Sequence, residues 1–252
     1  MAHEFDYMSA SEMRLRVARK DISPVALTER ALARADETQP RLNAFFELMP
    51  ESALAAARSA EDAVMQGDSL GALHGIPLSV KDLIAVGGVR YSFGSKTMVE
   101  NVAVEDAPAV ERARAAGGIV IGKTTTSEFG CKPVGDSPLT GVTRNPWNTD
   151  KTPGGSSAGA AASVAAGVTP FALGTDGGGS IRIPSAFTGL AGIKGSFARV
   201  PVWPTSATPT LSSTTAKDVY ELVGQFTDSE FLPAAAGNIP VGGSFGSYNW
   251  TR

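Results

Sequence analysis

Histidine, cysteine and any excess of one charge are scarce in this sequence, and each scarcity removes a class of function. His3, His74 and Cys131 are its only histidines and cysteine in 252 residues, and none sits in a ligand spacing such as H-E-x-x-H or C-x-x-C, so no metal is expected. Cys131 has no partner for an internal disulfide. The stretch from Met1 to Tyr7 lacks the basic start and apolar run of a secretion signal, so a reducing, cytoplasmic setting is expected. With 22 basic and 25 acidic residues, net charge -3, there is no field to attract phosphate or anionic lipid, and neither nucleic acid nor a membrane is expected as a partner. A long apolar run is missing too. The most apolar stretch, 158–174, consists of small residues and is interrupted by Ser163, Thr169 and Pro170, which reads as a buried helix running into a strand.

What the sequence does have is alternation of helix and strand, the mark of one large α/β domain. Ser9 with Glu12 has capping-box spacing, and Ser23–Pro24 reads as an N-cap and first-turn proline for a helix reaching about Asp36, so the chain opens with a small helical layer over residues 1–65. A strand is expected at 42–49, an alanine-rich helix at 52–65, an extended segment at 76–83, a helix at 108–116 closed by Gly117, and a strand at 119–121. Glycine is abundant and concentrated: Pro153–Gly154–Gly155–Ser156–Ser157 and Asp176–Gly177–Gly178–Gly179–Ser180 flank the apolar helix and the strand 169–173, and each loop ends in serine. Residues 66–199 form the expected core. Residues 200–252 read as an irregular segment with one helix near 215–223 and a short strand near 239–241.

Two motif matches fail on context. Gly117 to Thr124 fits G-x-x-x-x-G-K-[ST], but a phosphate loop follows a strand and opens a helix, whereas this glycine ends a helix and Ile119 to Ile121 read as a strand. Gly155 to Gly159 fits the G-x-S-x-G elbow with Ser157 as nucleophile, yet no histidine follows it in the chain; a different triad order would have to use His74, which a Gly–Ile–Pro turn marks as structural.

A serine that attacks without histidine needs another proton acceptor, and lysine remains. An exposed lysine is neutral only about 0.04 % of the time at pH 7, so a lysine base must be desolvated and kept from carboxylates. Lys81 fits: Ile76, Leu78, Val80, Leu83 and Ile84 surround it, and in an extended segment Ser79 and Lys81 share one face while Asp82 points to the other. Successive amides of Gly177, Gly178, Gly179 and Ser180 are unobstructed donors for an oxyanion, and the Ser156 hydroxyl can pass a proton between Lys81 and Ser180.

The residues Gly75–Ile76–Pro77–Leu78–Ser79–Val80–Lys81–Asp82, Gly122–Lys123–Thr124, Thr143–Arg144–Asn145–Pro146–Trp147, Pro153 to Ser157, Gly174–Thr175–Asp176 and Gly178 to Arg182 resemble the amidase signature enzymes, in order and at high density. The resemblance implies a mixed β-sheet sandwiched by helices, no cofactor, and a small-molecule amide or related acyl substrate. It implies that Ser180 is the acylated nucleophile, that Ser156 bridges through a cis peptide, and that Lys81 is the base. It also implies an oxyanion hole at Gly177, Gly178 and Gly179, support from Ser157, and a loop-fixing pair of Asp176 and Arg182. The glutamine-hydrolysing subunit of a tRNA-dependent amidotransferase is an alternative within the family, although Cys131 to Ser137 does not resemble that subunit's segment. A non-catalytic fragment is the alternative outside enzymes. Ala158 and Gly177 depart from the family pattern. The chain has about half the usual family length, so either self-association through an open sheet edge or an open catalytic loop without a defined acyl pocket is expected, the alternative being a substitute lid carrying Trp203, Phe226, Phe231, Phe245, Tyr248 and Trp250.

Overall fold

The two N-terminal helices start where their caps predict. In the computed structural model, which describes residues 3–196, 199–201 and the backbone of 219–224, the Ser9 hydroxyl accepts from the Glu12 amide and the Ser23 hydroxyl from the amides of Val25 and Ala26, opening α1 (Ala10–Ala18) and α2 (Pro24–Leu42). Helix α2 runs past the expected end at Asp36 and through Pro40. Its last turn is held by Gln39, whose Oε1 accepts from the amides of Ala44 and Phe45, and by Asn43 in the left-handed conformation. That extension shortens the first strand, β1, to Phe45–Leu48.

The elements that follow are α3 (Pro50–Gln66), β2 (Pro77–Lys81), α4 (Pro108–Ala115) and β3 (Ile119–Thr124), then a two-stranded ribbon of β4 (Asp136–Ser137) and β5 (Gly141–Val142). After them come α5 (Ala158–Ala165), β6 (Phe171–Asp176), α6 (Arg182–Thr188), β7 (Ala191–Gly192) and β8 (Val219–Gly224). The six-stranded sheet has the order β1-β3-β2-β6-β8-β7. Its centre, β3-β2-β6, is parallel, and β1, β8 and β7 add antiparallel pairings at the two sides. The sheet is therefore mixed, as expected. The helix expected over 215–223 is corrected: Val219–Gly224 pairs with β6 along its whole length, from Phe171↔Gly224 to Asp176↔Val219. The β-branched and aromatic residues Val219, Tyr220 and Val223 suit a pleated surface, and the partner strand lies far away in sequence, where local periodicity cannot see it. The strand expected at 239–241 and the six late aromatics lie outside the described residues.

Alternation along the central strands divides the core. Leu78, Val80, Val120, Phe171 and Leu173 face one apolar layer, with Val17, Leu27 and Val110. Ile119 and Ile121 face another, with Ala35, Leu42, Ala57 and Ala162. Helix α5 is buried along its whole length. Its Ala, Gly and Ser side chains let its backbone lie close to the sheet, and its N-terminus meets the ends of β2 and β6.

Candidate active site

The three parallel strands end at one edge, in Lys81, Thr124 and Asp176, and the two glycine loops lie there, as expected for open α/β sheets whose sites form beyond the strand carboxyl ends. A bulge between Leu78 and Ser79 resets the pleat of β2 against β3. Ser79 then meets Ser163 of α5 at 3.3 Å, and Lys81 points to the same side. Asp82 turns to the opposite face and meets Lys123. This is the alternation the sequence predicts.

Lys81 is fully buried. Its Nζ donates to Ser156 Oγ at 2.7 Å and to Thr175 Oγ1 at 2.8 Å. Ser156, also buried, follows a cis peptide bond from Gly155. The neighbouring Ser157 ties the loop to β6 at two points and to the turn after it at a third. Its hydroxyl donates to the Thr175 carbonyl, accepts from the Thr175 amide, and its own amide donates to the Ser180 carbonyl at 3.1 Å. Gly174 makes this approach possible, because a Cβ there would lie 2.9 Å from Ser157 Oγ. Gly130, with φ +70°, brings another backbone segment beside Ser156: a Cβ at that position would lie 3.3 Å from Ser156 Oγ.

Ser180 is half-buried at the start of the turn into α6, and among the described residues its hydroxyl makes no hydrogen bond. The structure thus joins Lys81 directly to Ser156, while Ser180 is joined to the same loop through its backbone. Asp176 shapes the turn that carries it. Its carboxylate accepts from the amides of Gly179, Ile181 and Arg182 and from the Arg182 guanidinium at 2.8 and 2.9 Å. The amide of Gly179, expected to face an oxyanion, is therefore directed at Asp176 instead, 2.7 Å away. Among the described residues the amides of Gly177, Gly178 and Ser180 have no acceptor, and Gly177 and Gly178 are exposed.

Burial alone would raise the Asp176 carboxyl, but the Arg182 guanidinium and the turn amides outweigh it and hold the group below the usual carboxylate range. A depressed folded value contributes stability that is present above the unfolded value, about 3.9, and lost as pH falls through the folded one. Asp176→Asn is therefore expected to lower the urea midpoint at pH 7, with the gap to the parent protein narrowing below about pH 4. An undiminished gap at pH 3 would contradict this account of Asp176.

Thr175 went unassigned in the sequence although it stands in the quoted Gly174–Thr175–Asp176; a hydroxyl role there becomes visible only when β6 lies beside β2. His74 takes no part in the site. Its Nε2 lies 2.9 Å from the Ala60 carbonyl, and it lines a cleft of about 470 Å³ with Arg114, Ser59 and Gly117 near the start of β3. Lys123 is a buried strand residue in an ion pair, consistent with rejecting the phosphate-loop match. Among the described residues, no group of three or more His, Cys, Asp or Glu side chains could hold a metal ion, and no helix is long and apolar enough to cross a membrane.

A sequence model of the amidase family matches residues 26–222. One component of the glutamyl-tRNA(Gln) amidotransferase of Chloroflexus aggregans is 42 % identical over 197 residues, covering 78 % of this chain and 40 % of its own length. An acylamidase of Rhodococcus erythropolis is 42 % identical over 195 residues, covering 77 % of this chain and 41 % of its own. The crystal structure of a bacterial aryl acylamidase, described as one of the amidase signature enzymes, superposes with a TM-score of 0.78 at 34 % identity, over 82 % of this chain and 44 % of that one. This chain spans about 40 % of the length of the curated relatives it matches. With the mixed sheet, the two glycine–serine loops and the buried Lys81–Ser156 contact, these likenesses establish that the chain belongs to the amidase signature family.

Proposed function

We propose that the protein hydrolyses a C–N acyl bond through an acyl-enzyme on Ser180, with Ser156 and neutral Lys81 as the proton relay. The observation that carries this reading is the 2.7 Å contact between Lys81 and Ser156, both shielded from water. As Ser180 Oγ attacks the acyl carbon, its proton passes to Ser156 Oγ and the Ser156 proton to Lys81 Nζ. The oxyanion is received by the amides of Gly177, Gly178 and Ser180. The proton returns through Ser156 to the leaving nitrogen, the C–N bond breaks, and water hydrolyses the ester by the same relay. Amides are the default substrates, and anilides, carbamates and esters suit the same chemistry.

Incubation with a fluorophosphonate probe followed by peptide mass spectrometry tests the reading. A single adduct on Ser180 is expected; an adduct on Ser156 or Ser157, or none at all, would overturn it. The 42 % identity to a component of an amidotransferase favours a second reading, ammonia release from glutamine. It is tested by assaying ammonia from free glutamine beside amine release from an aryl acylamide.

A further inference from the structure

The sheet buries a second lysine on the opposite face. Lys123 of β3 lies opposite Val80, and Lys81 opposite Thr124. Lys123 and Lys81 therefore project to opposite sides. Lys123 Nζ stands 3.3 Å from Asp82 Oδ1, with both side chains shielded from water. Asp82 also accepts from the Ser92 amide and hydroxyl and from the Gly94 amide. Lys123 donates to the Arg90 carbonyl and sits 5.1 Å from the centre of the Tyr91 ring. Two other carboxylates are themselves paired. Glu47 of β1, which attracts Lys123, is bridged by Arg90 at 3.0 Å; on the Lys81 side Asp176 is paired with Arg182.

Burial pushes Asp82 above the usual carboxylate range and Lys123 below the usual lysine range, so the pair is costly to place here. A buried ion pair adds little stability over a well-packed apolar pair, and packing alone does not account for it. Asp82 directly follows Lys81 in the chain, and an ionised carboxylate there without a compensating cation would hold the proton on Lys81, because charges act strongly across a water-free strand.

We propose that Lys123 is a positioning residue that neutralises Asp82 across the sheet and so leaves Lys81 able to give up its proton and serve as a base. The inference rests on the reading of Lys81 as that base. Its physical content, a coupling between the Asp82–Lys123 pair and the protonation of Lys81, can be measured without turnover. The titration of Lys81 is followed through the ¹³Cε resonance of labelled lysine, assigned with Lys81→Met. In Lys123→Met, with Asp82 unbalanced, the Lys81 midpoint is expected to move up by about one pH unit. In Asp82→Asn, which keeps an acceptor for Ser92 and Gly94 and takes away the carboxylate, it is expected not to rise, because Lys123 without its partner is itself driven toward the neutral form. The double variant should return it close to its starting value. If Lys123→Met does not fold, Lys123→Gln, which keeps the length and polarity of the side chain, takes its place. A Lys81 midpoint that does not rise in the folded Lys123 variant overturns the inference. The rate at which the fluorophosphonate labels Ser180, measured against pH, separates the two claims: midpoints that move while the labelling profile does not would leave the coupling standing and remove Lys81 as the base.

Discussion

Replacing Ser180 with alanine is expected to abolish turnover of an aryl acylamide and labelling by the fluorophosphonate, with no visible loss of fold. The loss of rate should be on the order of 10⁵- to 10⁶-fold, the scale seen when a serine nucleophile is removed from a relay that works as a unit. The stability cost should stay within about 0.5 kcal/mol, because the hydroxyl is half-buried and makes no hydrogen bond among the described residues. Ser157→Ala provides the contrast. Its hydroxyl makes two bonds to Thr175 in a buried place, so its removal should lower thermal stability by about 1–3 kcal/mol and slow turnover by loosening the loop. Calorimetry and initial rates on the two variants distinguish nucleophile from support. Turnover above a few per cent in Ser180→Ala would remove Ser180 from its role.

The two serine loops were legible in the sequence because their chemistry is local: glycines where a backbone must pass close, serine at each end, and an apolar helix between. The face of Lys81 was legible because a strand alternates. What failed to show depends on neighbours distant in sequence. Thr175 reaches Lys81 only because β6 pairs with β2, and the Gly179 amide turns to Asp176 only because Arg182 and the first turn of α6 gather around that carboxylate. The strand Val219–Gly224 was misread as helix for the same reason, since its partner lies some fifty residues earlier. Helix α2 outruns the expected end at about Asp36 because the chain continues helical through Pro40 and the Gln39 side chain holds the turn beyond it.

Lys81 carries the other large expectation. Removing its amine leaves the Ser156 hydroxyl without an acceptor for its proton, and kcat should fall by about 10³- to 10⁴-fold, the range of a general base working through one relay. Lys81→Met is the variant of choice, because it keeps most of the buried volume that Lys81→Ala would leave as a cavity. Lys81→Arg should fail to restore activity, since a guanidinium does not deprotonate in the working range and its planar fork does not fit where one amine reaches Ser156 and Thr175 together. The sign of the pH dependence follows from which form is active. Only neutral Lys81 can take a proton, so with chemistry rate-limiting the parent protein's kcat/KM should climb with pH until that form predominates, and the climb should vanish in Lys81→Met. Rates that are level from pH 6 to 9 in the parent protein, or a Lys81→Met variant that keeps the climb, would assign the proton to another group and leave the buried lysine as an anchor for the Ser156 and Thr175 hydroxyls.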